Sequence, residues 1–249
     1  MNLILFESVE IARPLARSDP RAAHLLSVLG RRAGGTFDAG LVNGPRGRGT
    51  IEAIAQDALK LSFAWGAEPP PADPITLLIG LPRPQTARDI LRDATTMGVA
   101  AVHFVATEKA EHGYAQSSLW TSGEWRRQLL TGAAQAFDTR IPAVTWDRSL
   151  AEALAEIAPV TSRFALDNYE ASERWGSVGT MGTVAAGTPV ALAIGPERGW
   201  GPADREALRA HAFRLAHLGP RPLRTETAVV AALAVLKATG RDGTPSQSR

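Results

Sequence analysis

The stretch PVALAIGPERGWGPADREALRAHAFRLAHLGPRPLRTETAVVAALAVL, residues 189–236, decides the fold. It opens on a continuous apolar run, breaks at Gly195-Pro196, passes through a helical pattern near 202–212 and returns to a second apolar run, RLAHLG. A second break, Gly219-Pro220-Arg221-Pro222, leads into a helical pattern over 225–238. Apolar runs this short and this continuous suit strands covered on both faces. Their alternation with helices implies a parallel sheet between helical layers. Working upstream, ITLLIGL, AAVHFVAT and RFALD read as further buried strands, with helical patterns near 84–97, 122–138 and 149–157 between them. The expected class is α/β.

The pattern changes before GAEPPPADP, Gly66 to Pro74, where three consecutive prolines favour an extended spacer. Ahead of it, a helix-like stretch at 22–29 precedes TFDAGLV, a turn at Asn43-Gly44-Pro45-Arg46-Gly47, GTIEAIA and ALKLSFAW. Short strands joined by tight turns predict a small β-barrel. The expected division is a β-domain over 1–68, a Pro-rich linker over 69–74, a large domain over 75–240 and a flexible polar tail over 241–249. Within the β-domain, Arg31, Arg32, Arg46 and Arg48 face only Asp38. That is either a local basic patch or an ordinary solvated surface.

Composition excludes several classes. The 249 residues hold no apolar run near the roughly 20 a membrane helix needs. MNLILFESVE has glutamates where a secretory signal carries basic residues. Cysteine is absent, which removes disulfides, thiolate metal sites and cysteine nucleophiles and fits a cytoplasmic protein. The formal charge is only +2, carried almost wholly by arginine, with Lys60, Lys109 and Lys237 the only lysines. Arginine suits phosphate forks and base stacking, although a GC-rich genome explains the same usage. No phosphate-binding loop, dinucleotide fingerprint or nucleophile elbow is present, and the five histidines form no H-x-x-x-H pair, so no metal is expected. Gly179, Gly182 and Gly187 fall in an irregular stretch and open no βαβ unit.

In an open α/β sheet, ligands bind beyond the carboxyl ends of the strands. Three such ends stand out: Leu166-Asp167-Asn168, Gly195 to Gly199, and Gly219 to Pro222. Glycine admits close approach of the backbone to a ligand and proline pre-aims the loop, which suits an adenine or ribose held by main-chain groups. Each loop taken alone also reads as a sharp strand-to-helix turn.

IGPERGWGPADREAL followed by HLGPRPLRTETAVVAAL resembles the paired C-terminal motifs of the 16S ribosomal RNA uridine N3-methyltransferase family (RsmE-type), of the SPOUT class of knotted methyltransferases. LPRPQTARDILRDATTMGVAAVHFVATEKA is similar to the family's opening strand, helix and second strand, and GAAQAFDTRIPAV to its Gln-containing helix and the strand entry after it. The likeness covers the whole second part, and the first fits the family's small PUA-like β-domain in size and position. It implies a SPOUT-type sheet with a C-terminal trefoil knot, S-adenosylmethionine as cofactor, no metal, a homodimer, and 16S ribosomal RNA or the small ribosomal subunit as partner. Carried over position by position, Leu166, Gly195, Glu197, Leu218, Gly219, Arg221 and Leu223 would surround the cofactor. Arg224, Glu226 and Thr227 would face the target base.

Uridine N3 carries a proton at neutral pH, so the enzyme must align the reacting atoms and stabilise charge on the uracil oxygens as that proton leaves. Arg224, a permanently charged fork, is the candidate for that charge. Glu226 either holds Arg224 or accepts the proton, and Thr225 reads as the helix N-cap. RNA contacts then fall to Arg31, Arg32, Arg46, Arg48 and, near the pocket mouth, Arg83. Three departures bear on target identity: Arg198-Gly199 where the family commonly has Gly-Gly, Ala134 beside Gln135 where it usually has glutamate, and Asp93, Thr96 and Met97 in a helix that often carries Lys and Glu. The alternatives are methylation of another RNA position and a non-catalytic RNA-binding assembly factor.

Overall fold

The computed structural model describes residues 3–177, 184 and 187–240. Gly179, Gly182 and the tail 241–249 lie outside the described residues. The chain forms two compact units: the chain up to Pro71 together with Leu130–Ile141, and Ala72–Leu129 together with the chain from Pro142 onward.

The small unit contains β1 (Ile4–Phe6), β2 (Leu15–Ala16), α1 (Pro20–Ala23), which widens into a looser turn over His24–Val28, and β3 (Thr36–Leu41), β4 (Arg46–Ile54) and β5 (Ala58–Trp65). Its strands lie in the order β1-β3-β4-β5-β2, with β1 parallel to β3 and the other pairs antiparallel. Alternate residues of β3 to β5 point inward, so Phe37, Ile51 and Leu59 meet Phe6 and Leu25 in one core. Around it, Arg21 forks onto Glu10 at 2.7 Å and Asp19 at 2.8 Å, and that guanidinium holds both carboxyls below the usual range.

A second apolar cluster joins Leu3 and Leu5 of this unit to Ala133, Leu130, Phe137 and Ile141. The segment is also pinned to the turn after β3. Thr139 Oγ1 donates to the Gly44 carbonyl at 2.6 Å, Asn43 N–H donates to the Thr139 carbonyl at 2.8 Å, and Arg140 donates to the carbonyls of Asn43 and Pro69 at 3.0 and 3.1 Å. Linear reading at the proline spacer does not assign residues 130–141 to this unit, because their apolar periodicity says helix and nothing about its partner.

The large unit runs β6 (Asp73–Gly80), α2 (Pro84–Thr96), β7 (Val99–Ala106), α3 (Ser118–Thr121), α4 (Glu124–Ala136, of which the small unit takes the part from Leu130), β8 (Ala143–Ser149), α5 (Leu150–Ala155), β9 (Ser162–Leu166), β10 (Glu173–Arg174), β11 (Val190–Ile194), α6 (Pro202–Ala210), β12 (Arg214–His217) and α7 (Thr225–Gly240). The seven strands lie in the order β10-β12-β9-β11-β6-β7-β8, and every neighbouring pair is parallel. All their carboxyl ends therefore share one edge. β11 is buried throughout and β6 at Ile75 and from Leu77 to Gly80, which is why they read as apolar runs. β8, AVTWDRS at the sheet edge, is only partly buried, so it has no such run and its pattern alone does not announce it.

Two close fits set the active edge. A Cβ on Gly80, at the end of β6, would come within 2.3 Å of Pro196 Cδ, so only glycine lets the loop after β11 lie directly on β6. Asp204 in the first turn of α6 accepts from Gly201 N–H at 2.8 Å and Glu108 N–H at 3.1 Å. The first bond belongs to the N-terminal cap of α6, and the second ties the turn after β7 to the same carboxylate.

Candidate functional site

At the carboxyl edge, the loops after β6, β9, β11 and β12 enclose a cavity of about 680 Å³. It sits where the chain order turns back, between β9, β11 and β6, the crevice where such sheets take ligands. Its volume falls in the range of small-molecule and cofactor sites.

The cavity brings together Leu166, Gly195, Glu197, Leu218 and Leu223 from the expected cofactor set, Arg224 and Glu226 from the expected reacting pair, and Arg83. Gly219 and Arg221 belong to the same β12 loop without lining it. Gly219 adopts φ +125, yet a Cβ there would meet nothing within 4 Å. Its demand for glycine is therefore conformational and not a matter of crowding. Helix α7 starts at Thr225, and the Arg224 carbonyl accepts the Ala228 N–H at 2.9 Å. Arg224 thus occupies the cap position expected for Thr225, which is buried as the first helical residue. The Arg224 side chain is exposed at the mouth.

Arg31, Arg32, Arg46 and Arg48 are exposed in the small unit. Arg48 pairs with Asp38 at 2.9 Å, and Arg46 donates to the Phe137 carbonyl at 2.9 Å with its guanidinium over the Phe137 ring. Arg83, in the large unit, stands at the N-cap position of α2 without a side-chain capping bond and contacts Glu197 Oε1 through its backbone N–H at 3.2 Å and Nε at 3.3 Å.

Sequence reading passes over several lining residues. Gln85, Thr86 and Asp89 enter from the first turns of α2, and Tyr169 from the loop after β9. The signal available for Tyr169 is its place three residues past the end of β9 at Leu166. That loop rests on a buried ion pair. Arg205 Nε donates to Asp167 Oδ2 at 2.7 Å, with side chains 7% and 1% exposed. Asp167 Oδ1 accepts from Tyr169 N–H at 2.8 Å and Glu170 N–H at 2.6 Å. Trp200 closes the floor, its indole N–H donating to the Leu166 carbonyl at 2.9 Å.

The fold and this edge define an α/β protein with a cofactor-sized cavity at the switch point of a parallel sheet. The family model described as RNA methyltransferase domain matches residues 68–237. The ribosomal RNA small subunit methyltransferase E of Treponema pallidum is 34% identical over 96% of this chain and 91% of its own length. The chain belongs to this family of RNA methyltransferases. Two solved structures share the fold. The ribosomal RNA small subunit methyltransferase E of Neisseria gonorrhoeae, bound to S-adenosyl methionine, has a TM-score of 0.77 at 20% identity and covers 98% of this chain and 100% of that one. A methyltransferase from Legionella pneumophila with bound S-adenosyl methionine has a TM-score of 0.78 at 21% identity, covering 96% and 98%.

Proposed function

We propose that the protein transfers the methyl group of S-adenosylmethionine to N3 of a uridine in 16S ribosomal RNA. The observation that carries this reading is one cavity holding both the loops of the expected cofactor site and, in the same wall, Arg224 and Glu226. The residues fit the cofactor. Leu166, Ile194 and Leu218 offer apolar surface for an adenine, main-chain groups of the β11 and β12 loops suit a ribose, and Glu197, Asp89 and Glu226 set carboxylates around a site for a cation. Bound there, S-adenosylmethionine supplies an electrophilic methyl group on a positively charged sulfur.

The chain's own side chains have the remaining work. Arg224, exposed at the mouth, meets the uracil oxygens and stabilises the charge they gain as the imide proton leaves. Arg224 and Glu226 form no ion pair with each other among the described residues, which leaves the Glu226 carboxylate open to take that proton. N3 lies on the Watson–Crick edge, so the target base must be unpaired or turned out of its stack.

The same reading takes the loops after β9, β11 and β12 as a trefoil knot, supported by the insertion of β11 between β9 and β6. It takes the small unit as a PUA-like RNA-binding domain, supported by its exposed arginines. It takes the working form as a cytoplasmic homodimer, supported by Val230, Ala234 and Ala238 exposed along α7. No helix among the described residues is long and apolar enough to cross a membrane.

The test is incubation with radiolabelled S-adenosylmethionine and undermethylated small subunits, followed by nucleoside mass spectrometry. Label on N3 of a uridine is expected. Label on a ribose hydroxyl or another base atom would move the protein to a different RNA target, and cofactor binding without transfer would make it a binding factor.

A further inference from the structure

Tyr169 has no part in the reaction proposed above, yet it is 77% exposed at the rim of the cavity. An aromatic ring left in water forgoes burial of a large apolar surface, and an ordinary loop tyrosine would swing between rotamers. This one is held. The Arg205 guanidinium lies 5.4 Å from the ring centroid and is itself fixed by Asp167, whose other oxygen accepts the Tyr169 N–H. On another side the ring edge approaches Gly199, where a Cβ would stand 3.5 Å from Tyr169 Cε2. A buried ion pair costs desolvation, and here its visible product is one ring kept in place and open to solvent.

We infer that Tyr169 is a stacking platform for an unpaired RNA base arriving at the cavity mouth, with Arg198 beside it for the adjoining phosphate. The inference rests on the RNA-methyltransferase reading. Three observations favour an RNA base over the cofactor's adenine. The ring is at the rim, whereas the apolar surface of Leu166 and Ile194 is buried deeper in the cavity. Exposed Arg198 and Arg83 line the same mouth and suit a polyanion. A platform that reads only the π-face accepts any base, which is what a flanking nucleotide requires.

The probe is a fluorescein-labelled oligouridylate, and binding to the full chain is read by anisotropy for the wild type, Tyr169→Ala, Tyr169→Leu and Tyr169→Phe. Losing one stacked base weakens binding by roughly ten- to a hundredfold. Tyr169→Ala and Tyr169→Leu should show that loss, Tyr169→Phe should bind as the wild type does, and calorimetric affinity for S-adenosylmethionine should hold in all four. Thermal midpoints should coincide, since the side chain is exposed. Equal binding by Tyr169→Ala overturns the inference, as does Tyr169→Leu matching the wild type, which would mean packing without stacking. Loss in Tyr169→Phe would assign the hydroxyl instead, and loss of cofactor affinity would assign the adenine. A wild type that does not bind the probe also overturns it. Because this assay needs no turnover, a wild type that binds the probe through Tyr169 and labels no ribosomal RNA would retire the proposed reaction and leave the platform standing.

Discussion

Two loops wall the same cavity and are made rigid by opposite means. The β9 loop is held by charge: Asp167 spends both oxygens on Arg205 and two backbone N–H groups, out of contact with water. The β12 loop is held by covalent limits, with Pro220 and Pro222 fixing φ and Gly219 set at φ +125. One wall fails by losing a partner; the other, where a bond from Gly219 N–H to His217 Nδ1 at 3.1 Å adds to the backbone limits, fails chiefly by acquiring an unsuitable side chain. The comparison teaches that a binding surface can be pre-shaped either by a network or by the backbone itself, and that the two leave different signatures on substitution.

The largest effect should come from the charged wall. Asp167→Ala leaves buried Arg205 with Glu170, 3.6 Å away, as its remaining carboxylate, and the unfolding free energy should drop by an amount toward the lower end of about 3–5 kcal/mol. Chemical denaturation measures it, and Asp167→Leu combined with Arg205→Met should recover the part due to the buried charge but not the part due to the two backbone N–H groups whose bonds Asp167 Oδ1 accepts. If the single variant unfolds like the wild type, the loop is not held by charge.

Next comes the reacting group at the end of the backbone-limited wall. Arg224→Ala should reduce turnover on RNA by roughly 10²–10³, the usual loss of one charge-stabilising donor, with cofactor affinity within a few-fold. Calorimetry and single-turnover labelling separate the two. A parallel fall in both would make Arg224 part of the cofactor site.

Gly219→Ala should cost less, about 1–3 kcal/mol of backbone strain. With open space around the new Cβ, the penalty should appear in cofactor affinity and stability without misfolding, and Gly219→Val should add only its β-branch. Equal affinity for glycine and alanine would show that the loop relaxes and that the backbone does not fix this wall.

The smallest effect serves as a control away from both loops. His103 on β7 has its pKa lowered, first by burial and then by Arg148, and its Nδ1 lies 2.9 Å from Thr145 Oγ1. Above its ordinary value of 6.5 the ring is neutral in both folded and unfolded chains. Below that value the unfolded chain binds the proton more readily, so stability should fall as pH drops from about 7 to 5. His103→Asn should flatten this part of the melting profile and leave cofactor affinity unchanged.

The two walls were unequally legible from sequence. The β12 loop declares itself, because glycine, proline and the motif through Leu223-Arg224-Thr225 are all local. The β9 loop shows only its strand end. What makes Asp167 structural is Arg205, 38 positions away on α6, and no local pattern pairs them. Tyr169 is hidden in the sequence for the same reason: an isolated tyrosine after a strand means little until its neighbour in space is known. The parallel sheet is readable from pattern wherever strands are buried on both faces; β8, an edge strand that keeps polar residues, shows only through the family resemblance of the strand entry at Pro142-Ala143-Val144. The first unit's strands β3 to β5 followed from alternation and turn residues. β1, only three residues long, carried no period to read.

The stapling of residues 130–141 onto the first unit has a consequence for how the protein is made. A chain leaving its site of synthesis shows its N-terminal strands first, and such units ordinarily fold as they emerge. Here Leu3 and Leu5 must wait for Leu130, Ala133 and Phe137, and the turn at Asn43 for Thr139. The amino-terminal unit therefore completes its packing only after more than half of the polypeptide has been translated. Until then it exposes an unfinished apolar edge, which makes the opening third of the chain the part that a nascent-chain chaperone has to shield longest.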